Sequence, residues 1–168
     1  MAKSFAIAAL VATALCFSSL LISANAKKSD TLFVEGRVYC DTCRVEFQTK
    51  LSEPLGGVKV RLECNSRENG TLTFSEEGVT DKGGSYTLSV RGDHEEDICQ
   101  IKLLSSPRAD CNEQFQSTDM ARILITRNVG VAEPKRYANA LGFKIKTALP
   151  ECDKVLTDMG FLPLEIMK

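Results

Sequence analysis

The sequence predicts an all-β fold: a single antiparallel β-sandwich or barrel of about seven short strands with three disulfides. The first observation is an alternation of apolar and polar residues with a period of two, which dominates after residue 30. The second is that turns containing Gly or Pro separate the alternating runs. The third is an even number of cysteines downstream of a targeting segment, which is typical of a disulfide framework.

Seven segments show the alternation of a half-buried strand, with apolar side chains toward a core and polar ones toward solvent. They lie at residues 32–40, 58–64, 72–80, 86–90, 99–103, 120–125 and 141–145. Pro54–Gly57 precedes the second segment, and Asp81–Gly84 places glycines, which tolerate positive φ, before the fourth. Residues Glu151–Met159 are predicted to form one short helix.

The N-terminus has the pattern of a secretory signal peptide over residues 1–26. Lys3 gives a positive start, residues 5–22 are largely apolar, and Ala24-Asn25-Ala26 offers a small-residue cleavage site. About 18 apolar residues also suffice to cross a bilayer, so a membrane anchor is the alternative. We expect cleavage, which leaves residues 27–168 as one β domain that is secreted to the extracellular space and inserts into no membrane.

The predicted mature chain is slightly acidic. It has 20 basic and 22 acidic residues, a net charge of −2, so we expect no nucleic-acid partner. The chain contains no G-x-S-x-G, P-loop or H-E-x-x-H motif, and we expect no catalytic residues, cofactor or metal. Removal of Cys16 leaves an even set of cysteines, whose spacing alone does not select one pairing: Cys40, Cys43, Cys64, Cys99, Cys111 and Cys152.

The Cys-x-x-Cys at Cys40 and Cys43 has three interpretations: a redox pair, part of a zinc site, or two structural cysteines. It follows a strand in an all-β pattern, and four further cysteines are available as partners. A zinc site would need a second Cys-x-x-Cys or paired histidines, which the sequence lacks. We therefore predict that the two sulfurs bond to two distant segments.

Two polar segments also allow more than one interpretation. His94 is the only histidine and lies among four carboxylates, which suggests a general base, a calcium loop or a solvated loop; we expect the solvated loop. Asn69-Gly70-Thr71 is an N-glycosylation sequon between two strands, and Asn-Gly also favours a turn. We predict that Asn69 carries a glycan.

Aromatic residues give no clear sign of a carbohydrate-binding surface. The chain has no tryptophan. Tyr39, Tyr86, Phe74 and Phe143 all fall in apolar alternation, which places them in the predicted core.

Several segments closely resemble the Ole e 1-like family of secreted plant pollen proteins. The strongest is Glu35-Gly36-Arg37-Val38-Tyr39-Cys40-Asp41-Thr42-Cys43-Arg44, and the intervals between the six cysteines, 3, 21, 35, 12 and 41, fit the family layout. Residues 80–86, 106–111 and 137–143 resemble further family segments, although Ala140 stands where many relatives have proline. The chain has only five prolines, so it resembles the bare domain without a proline-rich extensin-like region.

The resemblance implies a secreted β-sandwich or barrel and a specific pairing: Cys40–Cys111, Cys43–Cys152 and Cys64–Cys99. From the apolar faces of its two strands, we expect Cys64–Cys99 to be the most buried bridge and the last to be reduced. The family includes allergens, and roles in pollen hydration or pollen-tube growth are suggested for it, without an established biochemical activity.

We expect a non-enzymatic extracellular protein that binds a receptor ectodomain or a cell-wall component. The alternatives are an enzyme or enzyme inhibitor acting on cell-wall polymers, and a structural secreted protein without a specific ligand. The discriminating observations are retention by cell-surface or wall material and hydrolysis of wall polysaccharides.

Overall fold

The structure, a computed structural model, describes residues 31–116 and 120–161. Within them, ten strands and one short helix form an all-β fold of two sheets, which confirms the predicted class. The strands are β1 Thr31–Asp41, β2 Glu53–Pro54, β3 Lys59–Ser66, β4 Leu72–Val79, β5 Ser85–Arg91, β6 Asp97–Ser105, β7 Cys111–Gln114, β8 Met120–Ile123, β9 Lys135–Tyr137 and β10 Leu141–Ile145. Helix α1 spans Cys152–Asp158, as predicted to within a residue at each end.

The first sheet is built around β1, which changes neighbours half-way along its length. Its first half pairs with β5 in the antiparallel direction. On its other edge, Phe33–Glu35 pairs with β9 in the parallel direction. Its second half, Val38–Asp41, pairs with β10 parallel, and β2 pairs there antiparallel. β7 extends the sheet beyond β10. Two parallel pairings therefore occur within a mostly antiparallel fold.

The second sheet has the order β4-β3-β6-β8, and all its pairings are antiparallel. One cluster of buried side chains contains residues from both sheets, among them Val34 of β1, Leu88 of β5, Leu62 of β3 and Ile101 of β6. Removal of these apolar side chains from water is the main favourable contribution to folding. The two sheets therefore share one core, as in a sandwich.

The predicted core aromatic residues lie inside or against this core. Tyr39, Tyr86 and Phe143 are buried, and Phe74 packs against the core while partly exposed. The predicted signal peptide, residues 1–26, lies outside the described residues, so the domain bounds 27–168 stay a prediction. Within the described part, no helix is long and apolar enough to cross a membrane.

The three bridges in the structure join the pairs that the resemblance implies: Cys40–Cys111, Cys43–Cys152 and Cys64–Cys99. The expectation that Cys64–Cys99 is the most buried is wrong. Both Cys40 and Cys111 are 0 % exposed, whereas Cys99 is 3 % exposed. Cys64 is also 0 % exposed, so the difference lies at Cys99, which is the third residue of β6 and borders the loop that carries His94.

Candidate functional site

A cavity of about 390 Å³ opens beside β1, between β5 and the segment that joins β9 to β10. Three stretches of the chain line it: Glu35–Arg37, Ser85–Thr87, and Tyr137 with Ala138 and Ala140. Apart from Thr87, all these residues belong to segments that resemble the Ole e 1-like family. The resemblance thus marks residues that are distant in sequence and adjacent in space. We call this space the β1 cavity.

The β1 cavity lies at the exchange of neighbours along β1. β9 pairs with β1 up to Glu35, and the Ala138 amide then donates a hydrogen bond of 2.8 Å to the Glu35 carbonyl. The pairing of β1 with β10 begins at Val38. Gly36 and Arg37 lie between these two pairings. The connecting segment is only 138–140, so the gap between the two parallel neighbours is short. The cavity is therefore a consequence of sheet topology.

Gly36 makes room for a tyrosine in this gap. Gly36 and Tyr86 are cross-strand partners, and a Cβ at residue 36 would lie 2.2 Å from the Tyr86 hydroxyl oxygen. Tyr86 is 4 % exposed, and its hydroxyl has no hydrogen-bond partner among the described residues. Burial raises the pKa of Tyr86 well above its usual value, so the hydroxyl stays protonated and has both a donor and an acceptor unused.

Two of the charged side chains around the β1 cavity form an ion pair, and a third has no partner among the described residues. The Glu35 carboxylate lies 2.7 Å from the Lys135 ammonium, an ion pair that raises the pKa of Lys135. The exposed Arg37 guanidinium makes no hydrogen bond or ion pair with a described residue. Tyr137, directly beside Glu35 across the β1–β9 ladder, is 69 % exposed. The rim therefore carries one unpaired cation and one exposed aromatic ring.

Sequence reasoning missed Arg37 and Tyr137 as site residues. Arg37 occupies an outward position of an alternating strand, where a charged residue is unremarkable. Tyr137 lies in a strand of three residues, which is too short to show a period. The signal that was available is their membership of two family-like segments, together with Ser85 and Tyr86 in a third.

The Cys-x-x-Cys region has a structural role, and its sulfurs bond to two distant segments rather than to each other. The Asp41 carboxylate accepts hydrogen bonds from the amides of Cys43 and Glu46, at 3.0 and 2.7 Å. Arg44 donates twice to the Glu113 carboxylate, at 2.7 and 2.8 Å, and its hydrogen bond helps lower the pKa of Glu113. The loop after β1 is thereby tied to β7.

The acidic loop around His94 is only partly solvated. Glu95 and Glu96 are exposed as expected, but the His94 side chain is only 11 % exposed, with Nδ1 2.8 Å from the Asp97 carboxylate. The expectation of a solvated loop is therefore wrong for His94, because its ring packs against Phe74, with ring centroids 5.2 Å apart. The carboxylates of the loop do not converge on one point, because three of them accept hydrogen bonds from three different residues. Asp97 accepts from the Thr73 hydroxyl, Asp93 from the Thr126 hydroxyl, and Glu95 from the Asn128 side-chain amide.

One group of potential metal ligands occurs among the described residues. Donor atoms of Cys64, His94 and Cys99 lie within 4.8 Å of one another. Both sulfurs are bonded to each other in the disulfide, so neither is a free thiolate ligand. With the bridge intact, this group offers a metal only the imidazole.

The sequon lies in an exposed turn between β3 and β4. The Asn69 side-chain oxygen accepts hydrogen bonds from the amide and hydroxyl of Thr71, at 3.0 and 2.8 Å, and Gly70 has φ 71°. This geometry fits a turn, and Asn69 is an exposed residue that uses its side-chain oxygen in these hydrogen bonds. Glycosylation of Asn69 stays a prediction.

Comparison with known proteins gives a consistent result. The family described as "Pollen protein Ole e 1 like" matches residues 30–160. The chain is 48 % identical to the "Olee1-like protein" of Betula pendula over the full length of both chains, and 45 % identical to the "Anther-specific protein LAT52" of Solanum lycopersicum, covering 94 % of this chain and 98 % of that one.

A solved structure extends the comparison to the fold. The crystal structure of the major plantain pollen allergen Pla l 1 superposes with a TM-score of 0.66 at 34 % identity, covering 73 % of this chain and 99 % of that chain. Family match, relatives and structure agree with the resemblance read from the sequence. The chain therefore belongs to the Ole e 1-like family of pollen proteins.

Proposed function

We propose that this protein is a secreted, non-enzymatic pollen protein that binds a cell-surface or cell-wall partner through the β1 cavity, in pollen hydration or tube growth. Relatives named "Pollen-specific protein C13" of Zea mays and "Pollen allergen Che a 1" of Chenopodium album support the pollen context and a potential as an allergen. Neither name describes an enzyme.

The observation that carries the proposal is the set of unpaired groups at one cavity. The Arg37 guanidinium, the Tyr86 hydroxyl and the exposed Tyr137 ring all lie at the β1 cavity without a partner that uses them. Tyr and Arg are enriched among the residues that contribute most to binding interfaces. The sheet fixes the backbone that carries these groups, so a partner has to immobilise the exposed side chains of Arg37 and Tyr137 but not their strands.

The chemistry of the same cavity favours binding over catalysis. Among the described residues, Glu35 is the one carboxylate that lines it, and Lys135 holds that carboxylate in an ion pair. Its described lining contains no histidine or cysteine, so the one candidate base beside a hydroxyl is Glu35, which lies opposite Thr87 and is already engaged by Lys135. An enzyme or enzyme inhibitor acting on wall polymers is the second candidate, and a structural protein without a ligand is the third.

Secretion is part of the proposal and is supported by three disulfides and the predicted signal peptide. The exposed Asn69 turn is the predicted glycan site. Treatment of the plant-secreted protein with an N-glycosidase should lower its mass by one glycan, and the Asn69→Gln variant should lack this shift. An unchanged wild-type mass would contradict the glycan prediction without affecting the binding proposal.

The test of function is retention of the mature protein by stigma plasma membranes and by a stigma cell-wall fraction, measured separately. We expect Arg37→Ala/Tyr137→Ala to lose retention by the fraction that binds the wild type. The matched control is Arg122→Ala/Leu124→Ala, which removes an exposed cation and an exposed apolar side chain from the region of β8. Equal retention of both double variants, or release of sugars from wall polysaccharide by the wild type, would contradict the proposal.

A further inference from the structure

We infer that the β1 cavity binds a saccharide that carries a carboxylate, a uronate, with Arg37 binding the carboxylate and Tyr137 stacking on a sugar ring. This inference rests on the proposed function and names the chemistry of the partner.

The charge of the β1 cavity favours one anionic group. Lys135 neutralises Glu35 at 2.7 Å, which leaves the guanidinium of Arg37 as the uncompensated charge among the described residues of the rim. A guanidinium presents parallel N–H donors that match the two oxygens of a carboxylate. The whole mature chain carries a net charge of −2, so attraction of an anion depends on this local cation rather than on the overall charge.

The aromatic ring at the rim favours a partner with an apolar face. Tyr137 is 69 % exposed on β9, and it neighbours Glu35 rather than the core. An exposed tyrosine offers an apolar ring face and a polar hydroxyl together. A pyranose ring has the matching character, because its C–H face is apolar and its edge carries hydroxyl groups.

The lining hydroxyl groups favour a partner that is rich in hydroxyl groups. Ser85 and Thr87 line the cavity, Thr87 with an exposed side chain and Ser85 with a half-buried one. Their hydroxyls can donate to and accept from the hydroxyls of a sugar. Tyr86 contributes the wall of the cavity, and its own hydroxyl oxygen is enclosed by protein. The volume lies in the range of about 300–1,000 Å³ typical of ligand sites, which suits the end of a short oligosaccharide.

The test is isothermal titration of the mature protein with three probes: trigalacturonate, its fully methyl-esterified form, and neutral galactotriose. EDTA is present throughout, since divalent cations bind uronates. We expect trigalacturonate to bind at least tenfold more tightly than the ester, because only the free acid makes the charge-assisted bonds to Arg37. Equal binding of the acid and its ester would overturn the role of the carboxylate.

Variants separate the contributions of the side chains. Arg37→Gln should weaken the binding of trigalacturonate about tenfold and leave any binding of the ester unchanged. Tyr137→Ala should weaken the binding of both probes. Arg122→Gln is the matched control and should bind like the wild type. Thermal unfolding of each variant checks that it is folded.

Failure of this inference differs from failure of the proposed function. Suppose that no saccharide binds, but stigma membranes retain the wild type and do not retain Arg37→Ala/Tyr137→Ala. The inference that the ligand is a uronate is then wrong, and the cavity remains the binding site. If no saccharide binds and no fraction retains the wild type, both proposals fail.

Discussion

At Gly36 and Tyr86, one missing side chain makes room for another. Glycine at residue 36 lets the Tyr86 ring lie against β1, with its hydroxyl at the place of a Cβ. The pair therefore creates the buried polar lining of the β1 cavity. Because this hydroxyl makes no hydrogen bond to a described residue, the pair stabilises the ligand-free protein by its ring packing and not by its polar group.

Tyr86→Phe should accordingly be neutral or raise the free energy of unfolding by up to about 1 kcal/mol, since it removes an unpaired buried hydroxyl and keeps the ring. Chemical denaturation of the ligand-free protein measures this. Tyr86→Leu is the control and should lose about 1–3 kcal/mol, because it leaves part of the ring space empty. A loss above about 1 kcal/mol for Tyr86→Phe would mean that the hydroxyl already has a partner.

Asp97 gives the protein a predictable response to acid. A hydrogen bond from Thr73 at 2.6 Å, followed by one from His94, holds the pKa of this carboxyl below its usual 3.8. The ionised form is thus favoured in the folded state, so its contribution to stability is complete above about pH 3.8 and is lost as pH falls through the lower folded value.

Asp97→Asn should therefore lower the free energy of unfolding by about 1–3 kcal/mol at pH 7, and its deficit should shrink at pH below 3.8. Urea titrations between pH 2.5 and pH 7 give the two curves. Glu96→Gln, at an exposed side chain two positions from His94, should follow the wild type. A deficit that is constant over the whole pH range would show that Asp97 acts by shape alone.

At the scale of elements, the seven strands found by alternation include every described strand of five or more residues, and also the four-residue β8. β2 and β9 have two and three residues, too few to show a period of two, and the four residues of β7 contain no apolar residue besides Cys111. Alternation along one strand also does not show whether a neighbouring strand runs parallel or antiparallel to it. The parallel pairings of β1 with β9 and β10 therefore could not be predicted from the sequence pattern. The β1 cavity arises from those pairings. Its individual segments were noticed in the sequence, whereas their meeting point required the topology.

Burial of the bridges predicts an order of reduction that differs from the sequence-based expectation. Cys43–Cys152 joins a loop to α1, whose described residues include only Cys152 and Val155 as buried side chains, and Cys43 is 5 % exposed. Cys40–Cys111 is fully enclosed. We expect Cys43–Cys152 to open first and Cys40–Cys111 last, because a thiol reductant needs access to sulfur.

Stepwise reduction, rapid alkylation and peptide mapping by mass spectrometry measure this order. The intermediate with only Cys43 and Cys152 alkylated should keep the sheet amides protected from hydrogen exchange, since the core does not depend on α1. Early alkylation of Cys40 and Cys111 would contradict the ranking.

At the scale of the molecule, two sheets with one shared core hold the β1 cavity on a framework cross-linked by three bridges. In the chain-entropy account, bridges that close long loops each contribute about 3–5 kcal/mol by restricting the unfolded chain. Such a framework fixes the backbone of β1, β5 and β9, which carries Arg37, Tyr86 and Tyr137. In the proposed function, binding depends on these few side chains that the fold leaves unpaired.

The most direct test of this account is hydrogen–deuterium exchange of the mature protein, free and bound to the stigma fraction that retains it. We predict slower exchange at 35–37, 85–87 and 137–140 on binding, with the β4 and β8 edges unchanged. Protection confined to those edges or to the His94 loop, with the three cavity segments unaltered, would contradict the claim that the β1 cavity is the binding site.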